Sequence, residues 1–293
     1  MTTSSRTERQ GLIYGLLSYV IWGTAPIYFK FLEQIPTTEV LSHRVIWSVA
    51  LIALAILISQ RWSVLFAILR QPKEMAWLIT SSFFIGGNWY IYIEAINANH
   101  VLEASLGYYI SPLTLILFAV IFLHERLSLL KTVAVGLATI GVLVQIFFAG
   151  IFPWVALLLA VTFSCFSLIR KVIKVDSLTA LLIETMILSP FAIYFLFGIE
   201  SHTGSLQAND WELNLLLISS GLITTLPLLF YAEAANRMSL STLGFMQYIA
   251  PTIMWLLAVF LFHEPLDPAT IISFGFIWVG LICYSLENVF RSK

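Results

Sequence analysis

The stretch Tyr109-Ile110-Ser111-Pro112 occurs a second time in this chain, as Tyr248-Ile249-Ala250-Pro251. The pair His124-Glu125 follows the first copy, and His263-Glu264 follows the second copy at the same distance. All of these matches share one gapless offset of 139 residues. Self-similarity at a fixed offset is the signature of an internal duplication. We therefore predict that the chain consists of two homologous halves.

Further matches extend the duplication outward from this stretch. The same offset joins five more pairs: Tyr92 and Tyr231, Glu94 and Glu233, Asn97 and Asn236, Gly136 and Gly275, and Gly141 and Gly280. Lys30 aligns with Lys171 at an offset of 141, which indicates a small length change in a loop. The first repeat is thus predicted over residues 1–149 and the second over residues 150–293.

The composition places most of the chain in lipid. Hydrophobic residues make up 59% of the 293 residues, and charged residues make up 11%, against about 25% in an ordinary soluble domain. The net charge is −1 and no basic run is present, so we expect no nucleic-acid partner. Cys165 and Cys283 both lie in apolar runs, where cysteine is a packing residue more often than a disulfide or metal ligand.

The apolar runs predict an all-α membrane protein with ten transmembrane helices of roughly twenty residues, the length that a bilayer core requires. The first run is too long for a cleaved signal and is predicted to be an uncleaved span. The ten spans are approximately 11–32, 38–59, 75–96, 102–124, 129–149, 152–170, 178–197, 213–234, 241–263 and 269–288.

The distribution of Lys and Arg predicts the orientation of these spans. With both termini in the cytoplasm, thirteen of the fifteen basic residues lie on the inner side: Arg6, Arg9, Arg61, Arg70, Lys73, Arg126, Lys131, Arg170, Lys171, Lys174, Arg237, Arg291 and Lys293. Five spans per half is an odd number, so the second repeat enters the membrane inverted. Glu125 is then inside and Glu264 outside, an arrangement typical of alternating access.

Ionisable groups inside spans are costly, so we treat them as functional candidates. His43 and Arg44 lie in span 2. Arg44 either faces a cavity, where it binds or gates a solute, or reaches the headgroups or a structural partner. Because a lipid-facing Arg is the costlier placement, we predict that it faces the cavity.

Three carboxyl groups are candidates for proton coupling: Glu94, Glu233 and Glu184. Glu94 and Glu233 are equivalent in the two halves and lie at opposite depths. Both are either proton carriers or helix-end carboxylates held by Asn97 and Asn236. For Glu184 in span 7 we expect basic partners from the inner side.

Proline and aromatic residues suggest the shape of a central cavity. Pro112 and Pro251 each remove a backbone hydrogen bond and are predicted to bend spans 4 and 9. A cavity lined by aromatic rings would suit an amphipathic or aromatic solute. Neither His-Glu pair has the second His of a zinc protease motif, and no nucleotide-binding Gly-rich loop is present. We therefore expect no metal, no cofactor and no ATP hydrolysis.

The sequence resembles the drug/metabolite transporter superfamily, with one EamA domain in each half. Three segments look more narrowly like the bacterial RarD subfamily: Gly11 to Gly23, Ser42 to Ser48, and Asn88-Trp89 with Tyr92 and Asn97. The resemblance implies two inverted five-helix EamA repeats. It also implies a cavity among spans 1–4 and 6–9, with spans 5 and 10 at the periphery. RarD proteins are associated with the description of a chloramphenicol-sensitive permease.

From these observations we predict an inner-membrane secondary transporter, a permease that exports a small amphipathic metabolite or drug. The alternatives are a non-transporting membrane partner or assembly factor, and an intramembrane enzyme, for which we find no convergent nucleophile, metal set or acidic pair. Lipid and a small-molecule substrate are the expected partners, and a homodimer through spans 5 and 10 stays open. The residues predicted for the cavity or its gates are Arg44, His43, Trp22, Trp47, Asn88, Tyr92, Tyr108, Tyr109, Pro112, Tyr231, Tyr248 and Pro251.

Overall fold

The structure of the chain, a computed structural model, describes residues 3–98, 101–150, 152–197, 201, 203–263 and 268–291. All regular elements in these ranges are α-helices, which confirms the predicted all-helical class for them. The helices are α1 (Thr3–Lys30), α2 (Thr37–Ile58), α3 (Trp62–Leu69), α4 (Pro72–Asn97), α5 (Val101–Leu123), α6 (Leu129–Ala149), α7 (Trp154–Val172), α8 (Ser177–Phe197), α9 (Trp211–Arg237), α10 (Leu240–Gln247), α11 (Ile249–Phe260) and α12 (Pro268–Arg291).

Nine spans within the described ranges are long and apolar enough to cross a membrane, with α10 and α11 together forming one of them. The predicted third span, α4, is the exception. It is 26 residues long, but Asn88, Trp89 and Tyr92 lower its hydropathy, and all three line a cavity. A helix that borders a cavity on one side needs apolar residues mainly on its other side. The count of ten spans therefore stays a prediction.

The two sequence halves interleave. Each long helix of the first half packs mainly against helices of the second: α1 on α9, α2 on α8 and α9, α4 on α7, α5 on α7 and α10, and α6 on α12. The largest core cluster accordingly contains Ile52 and Leu78 from the first half together with Phe166 and Leu182 from the second. One core extends across both repeats, so each half completes the packing of the other.

Helices α6 and α12, the predicted spans 5 and 10, pack closely against each other. A Cβ atom on Gly141 would lie 2.7 Å from the carbonyl oxygen of Ser273, and one on Gly280 would lie 2.9 Å from that of Ala134. Small residues at such crossings allow two helix backbones to approach closely in a membrane. The repeated glycine pair therefore serves a contact between the two halves of one chain.

The described part of the connection between α8 and α9 is attached to α2. The backbone N–H of Thr203 donates to the Glu39 carboxylate at 2.9 Å, and the Thr203 hydroxyl donates to the same group at 2.5 Å. The Nε2 atom of His43 lies 3.1 Å from the Thr203 hydroxyl. His43 thus contacts this connection.

The two copies of the repeated stretch differ in backbone conformation. The first copy lies inside the continuous helix α5, whereas the second spans the break between α10 and α11 at Tyr248. The Tyr248 hydroxyl donates to the carbonyl of Tyr109 at 3.1 Å, so the copies touch. After each copy, the repeated His has a left-handed backbone, with φ of 53° at His124 and 55° at His263. Glu264 lies outside the described residues.

Candidate functional site: a central cavity open at one end of the bundle

A central cavity of about 850 Å³ lies between helices from both halves. It extends from Tyr19, Phe163 and Leu228 in the middle of the bundle to Lys30 and Glu33 at the end of α1. We call this end of the bundle the mouth end and the opposite end the closed end. The volume is within the range of small-molecule sites, which are typically about 300–1,000 Å³.

Arg44 is the central charged group of the cavity. Its Nε atom donates to the Thr224 hydroxyl of α9 at 2.8 Å. Its guanidinium carbon lies 5.2 Å from the centroid of the Phe29 ring and 5.7 Å from that of the Trp89 ring. These cation–π contacts and the hydrogen bond fix the orientation of the guanidinium group.

Aromatic rings form much of the remaining wall. Trp22 and Phe163 meet edge to face with centroids 6.2 Å apart, and Tyr92 and Tyr108 do so at 6.3 Å. The aromatic residues of the cavity wall are Tyr19, Trp22, Phe29, Trp89, Tyr92, Tyr108, Phe163 and Phe262. The cavity therefore has flat apolar surfaces around the guanidinium group of Arg44.

Six of the predicted site residues line this cavity. They are Trp22, Arg44, Asn88, Tyr92, Tyr108 and Pro251. The amide of Asn88 donates to the carbonyl of Leu159 at 2.8 Å and to the hydroxyl of Thr162 at 2.9 Å. Asn88 thus holds α4 against α7, and the role predicted for it in solute contact remains a prediction.

The other six predicted residues pack beside the cavity. His43 contacts Thr203, and Trp47 packs on Gly221 of α9. Tyr231 is fully buried, where its hydroxyl donates to Ser167 at 2.5 Å. The remaining three, Tyr109, Pro112 and Tyr248, lie where α5, α10 and α11 meet. None of these three residues lines the cavity, and their predicted role stays a prediction.

The three candidate carboxyl groups have different surroundings, and none of them lines the cavity. Glu94 is exposed, and Glu233 is paired with Arg237 one helical turn away. Glu184 is 1% exposed, accepts a hydrogen bond of 2.6 Å from Ser81, and lies 3.8 Å from Arg170. The partner of Glu184 is therefore the basic residue Arg170, and the inner-side placement of both groups stays a prediction.

Polar contacts join the helix ends at the closed end. The Glu125 carboxylate accepts hydrogen bonds from the backbone N–H groups of Leu240 at 2.7 Å and Ser241 at 3.0 Å. A carboxylate at a helix N-terminus satisfies free N–H groups and complements the helix dipole. The ammonium group of Lys171 donates to the carbonyls of Ala235 and Met238, both at 2.7 Å. These contacts connect α5 with α10 and α7 with the end of α9.

Several functional contacts have no clear signal in the sequence. Phe29 and Thr224 orient Arg44, but an isolated Phe or Thr in an apolar run is unremarkable in composition. The role of Glu125 as a cap could have been inferred from its repetition together with the Ser239 cap that starts α10. Among the described residues, no group of three His, Cys, Asp or Glu side chains could hold a metal ion.

A bundle of apolar helices around a solute-sized cavity that opens at one end defines the class of multi-pass membrane transport proteins. The comparisons with known proteins narrow this class. The chain belongs to the EamA-like transporter family, which matches residues 9–147 and 151–286.

The relatives are bacterial and similar along nearly their whole length. Protein RarD of Escherichia coli (strain K12) is 44% identical over 99% of this chain and 98% of that protein. An uncharacterized transporter of Vibrio cholerae serotype O1 is 43% identical over 99% of this chain and 96% of its own length. A solved crystal structure with 21% identity covers 95% of this chain and 98% of that chain at a TM-score of 0.74, which shows the same fold.

Proposed function

We propose that this RarD-like protein is a secondary transporter of the bacterial inner membrane that exports a small amphipathic metabolite or drug by alternating access. The central cavity, open at the mouth end and shut at the closed end, is the observation that carries the proposal. A permanently open channel would not be blocked by packed helices at the closed end. The tight contacts of Glu125 and Lys171 at the closed end fit a state in which one gate is shut.

The proposed topology has ten spans in two inverted repeats, residues 1–149 and 150–293, with both termini in the cytoplasm. The mouth end then faces outward. Single cysteines in place of Glu125 and Glu264, in a cysteine-free background, should react with a membrane-impermeant thiol reagent from opposite sides. Labelling of both positions from one side would refute the inverted arrangement. A homodimer through α6 and α12 stays a prediction.

Proton coupling is proposed through Glu184 before Glu94 or Glu233. Glu184 is buried and contacts helices of both halves, since Ser81 belongs to α4 and Arg170 to α7. A carboxyl group in such a place can respond to a change in the packing of the halves. Uphill transport by the Glu184→Gln protein should lose its dependence on a pH gradient, whereas the Glu94→Gln protein should keep it.

Alternating access can be tested without knowing the substrate. A cysteine at Ala250, on the cavity wall, should react with an impermeant reagent added from the mouth side. A cysteine at Leu243, which is fully buried toward the closed end, should react from the opposite side whenever the gates exchange. A cysteine at Leu78, fully buried in the core away from the cavity, is the matched control and should stay unreactive.

The alternative functions give different results in the same experiment. A non-transporting membrane partner or assembly factor would keep one conformation, so Leu243→Cys would remain as unreactive as Leu78→Cys from either side. That outcome would contradict the proposal. Reaction of the Leu243→Cys protein from the closed side, together with reaction of the Ala250→Cys protein from the mouth side under the same conditions, would support the proposal.

A further inference from the structure

The charges in the cavity wall do not balance. Among the described residues that line the cavity, the charged side chains are Lys30, Glu33 and Arg44. The Lys30 ammonium and the Glu33 carboxylate form an ion pair of 2.5 Å at the mouth. Arg44 has no carboxylate within ion-pair distance among the described residues. The cavity therefore has a net charge of about +1, located at the guanidinium group.

The guanidinium group also has unused donors. Its Nε–H donates to Thr224, while Nη1 and Nη2 make no hydrogen bond within the described part of the chain. Tyr28, Tyr92 and Tyr108 interact electrostatically with the guanidinium group. Phe29 and Trp89 contact the guanidinium group but cannot accept a conventional hydrogen bond through their rings. A fixed guanidinium with two free nitrogen atoms matches the two oxygen atoms of a carboxylate.

The aromatic side chains around Arg44 favour a ligand with an apolar part as well as a charge. The rings of Trp22, Tyr92, Tyr108 and Phe163 face the same space, and the cavity is much larger than an inorganic ion. A small hydrated anion would leave the ring surfaces exposed to water, whereas an aromatic or flat apolar group would bury them. The wall thus favours a ligand with a charged end and an apolar body.

We propose that the substrate of the cavity is an organic monoanion, with a carboxylate held end-on by the Nη1 and Nη2 atoms of Arg44 and an aromatic or flat apolar body against Trp22 and Phe163. This inference rests on the proposed function, because it names the substrate class of the same cavity. The anion supplies the counter-charge that Arg44 lacks. A neutral or cationic solute would leave the buried guanidinium uncompensated.

Three probes of one shape but different charge test this proposal: indole-3-acetate, its neutral amide indole-3-acetamide, and the cation tryptamine. Each is added to the purified full-length protein, and the shift of the thermal unfolding midpoint is measured, since a ligand that binds the folded state stabilises it. We expect stabilisation in the order anion, amide, cation. Acetate and inorganic phosphate provide the charge without the body and should produce little stabilisation.

Variants of Arg44 locate the effect. Arg44→Gln should weaken binding of indole-3-acetate by about 10- to 100-fold and binding of the amide by less than about 10-fold, because the carboxylate loses two charge-assisted hydrogen bonds and the single amide oxygen loses one. Arg44→Lys keeps the charge but loses the planar guanidinium group, so its affinity for indole-3-acetate should lie between those of the wild-type and Arg44→Gln proteins. Thr224→Val, which removes only the group that orients Nε, is the milder companion variant.

The outcomes separate this proposal from the proposed function. Equal stabilisation of the wild-type protein by all three probes, or an unchanged preference for the anion in Arg44→Gln, would overturn the anion proposal. The first comparison needs no variant, so it holds even where Arg44→Gln fails to fold. Flux of radiolabelled indole-3-acetate into proteoliposomes is measured in parallel. Binding of the anion without flux would contradict the transport proposal and support the anion site. Flux of the amide alone would support transport and contradict the anion site.

Discussion

The two copies of the repeated stretch have nearly the same residues but different backbones. In the first copy, Tyr109 to Pro112 lie within the continuous helix α5. In the second copy, Tyr248 to Pro251 lie at the junction of α10 and α11. The missing N–H of each proline leaves a carbonyl without its helical partner, at Tyr108 in one copy and at Gln247 in the other. The helix is thus interrupted at Tyr248 in the second copy and continuous through the first.

The surroundings of the two copies account for this difference. Helix α5 packs along α7 and α10, and the backbone oxygen of Pro112 lies only 3.1 Å from the Cβ position of Gly244. Pro251 instead borders the cavity. If the repeats exchange conformations, α5 should bend and the α10–α11 helix should straighten when the other end opens. The copy in which the helix is interrupted would then differ between the mouth-open and the closed-end-open conformations.

The largest effect is expected from replacing the prolines one at a time. Pro251→Ala restores a hydrogen-bond donor, straightens the second copy and should favour opening of the closed end. Pro112→Ala should favour the mouth-open state. Because an interior proline costs a helix about 3 kcal/mol, each shift could approach 100-fold in population. The reactivity of a cysteine at Leu243 from the closed side should rise in the first variant and fall in the second. If the reactivity of this cysteine changes in the same direction in both variants, the two prolines do not favour opposite conformations.

A smaller effect is expected at Glu125, which caps the helix that contains the broken copy. Glu125→Gln keeps the shape but has only one acceptor oxygen, so one of the two charge-assisted hydrogen bonds is lost and the other becomes neutral, at a cost of about 1–2 kcal/mol. The closed end should open more often, and the reactivity of Leu243→Cys should increase about tenfold. The exposed Glu94→Gln serves as the control. An unchanged reactivity would show that the cap does not hold the gate.

The smallest effect is expected where the two copies touch. Tyr248→Phe removes the hydroxyl that donates to the carbonyl of Tyr109. One neutral hydrogen bond contributes about 1 kcal/mol, which corresponds to a fall of about 2–4 °C in the unfolding midpoint of a chain of this size class. Tyr90→Phe, at a ring that is 58% exposed, is the control. If both variants unfold at the same temperature, this contact does not stabilise the observed state.

The sequence predicted the parts of this molecule that depend on repetition and hydropathy. Gly141 and Gly280 were found as a matched pair, and the structure explains the match by the crossing of α6 and α12. The helical class followed from the apolar runs, because a helix satisfies its own backbone in lipid. Arg44 was singled out because a charge inside a span is costly, and it does line the cavity.

The sequence could not predict which partners these residues find. Tyr231 and Tyr92 are equivalent in the repeat, yet Tyr231 is buried against Ser167 and Tyr92 faces the cavity. If the repeats are inverted, as proposed, equivalent positions lie at opposite depths, and one conformation does not expose both. The contact of His43 with Thr203 bridges 160 residues of chain. No local pattern encodes a contact of that kind, because it depends on how the halves interleave.

That interleaving has a consequence for biosynthesis. Arg44 enters the membrane 180 residues before its hydrogen-bond partner Thr224 is made, and Glu39 precedes Thr203 by 164 residues. At about 5–20 residues per second, synthesis of the intervening chain takes on the order of 10–40 seconds, and these polar groups stay without their final partners for that time. A ribosome that stalls midway leaves a set of helices with no partners for their polar faces. The observed hydrogen bond between Arg44 of α2 and Thr224 of α9 therefore forms only after α9 has been made.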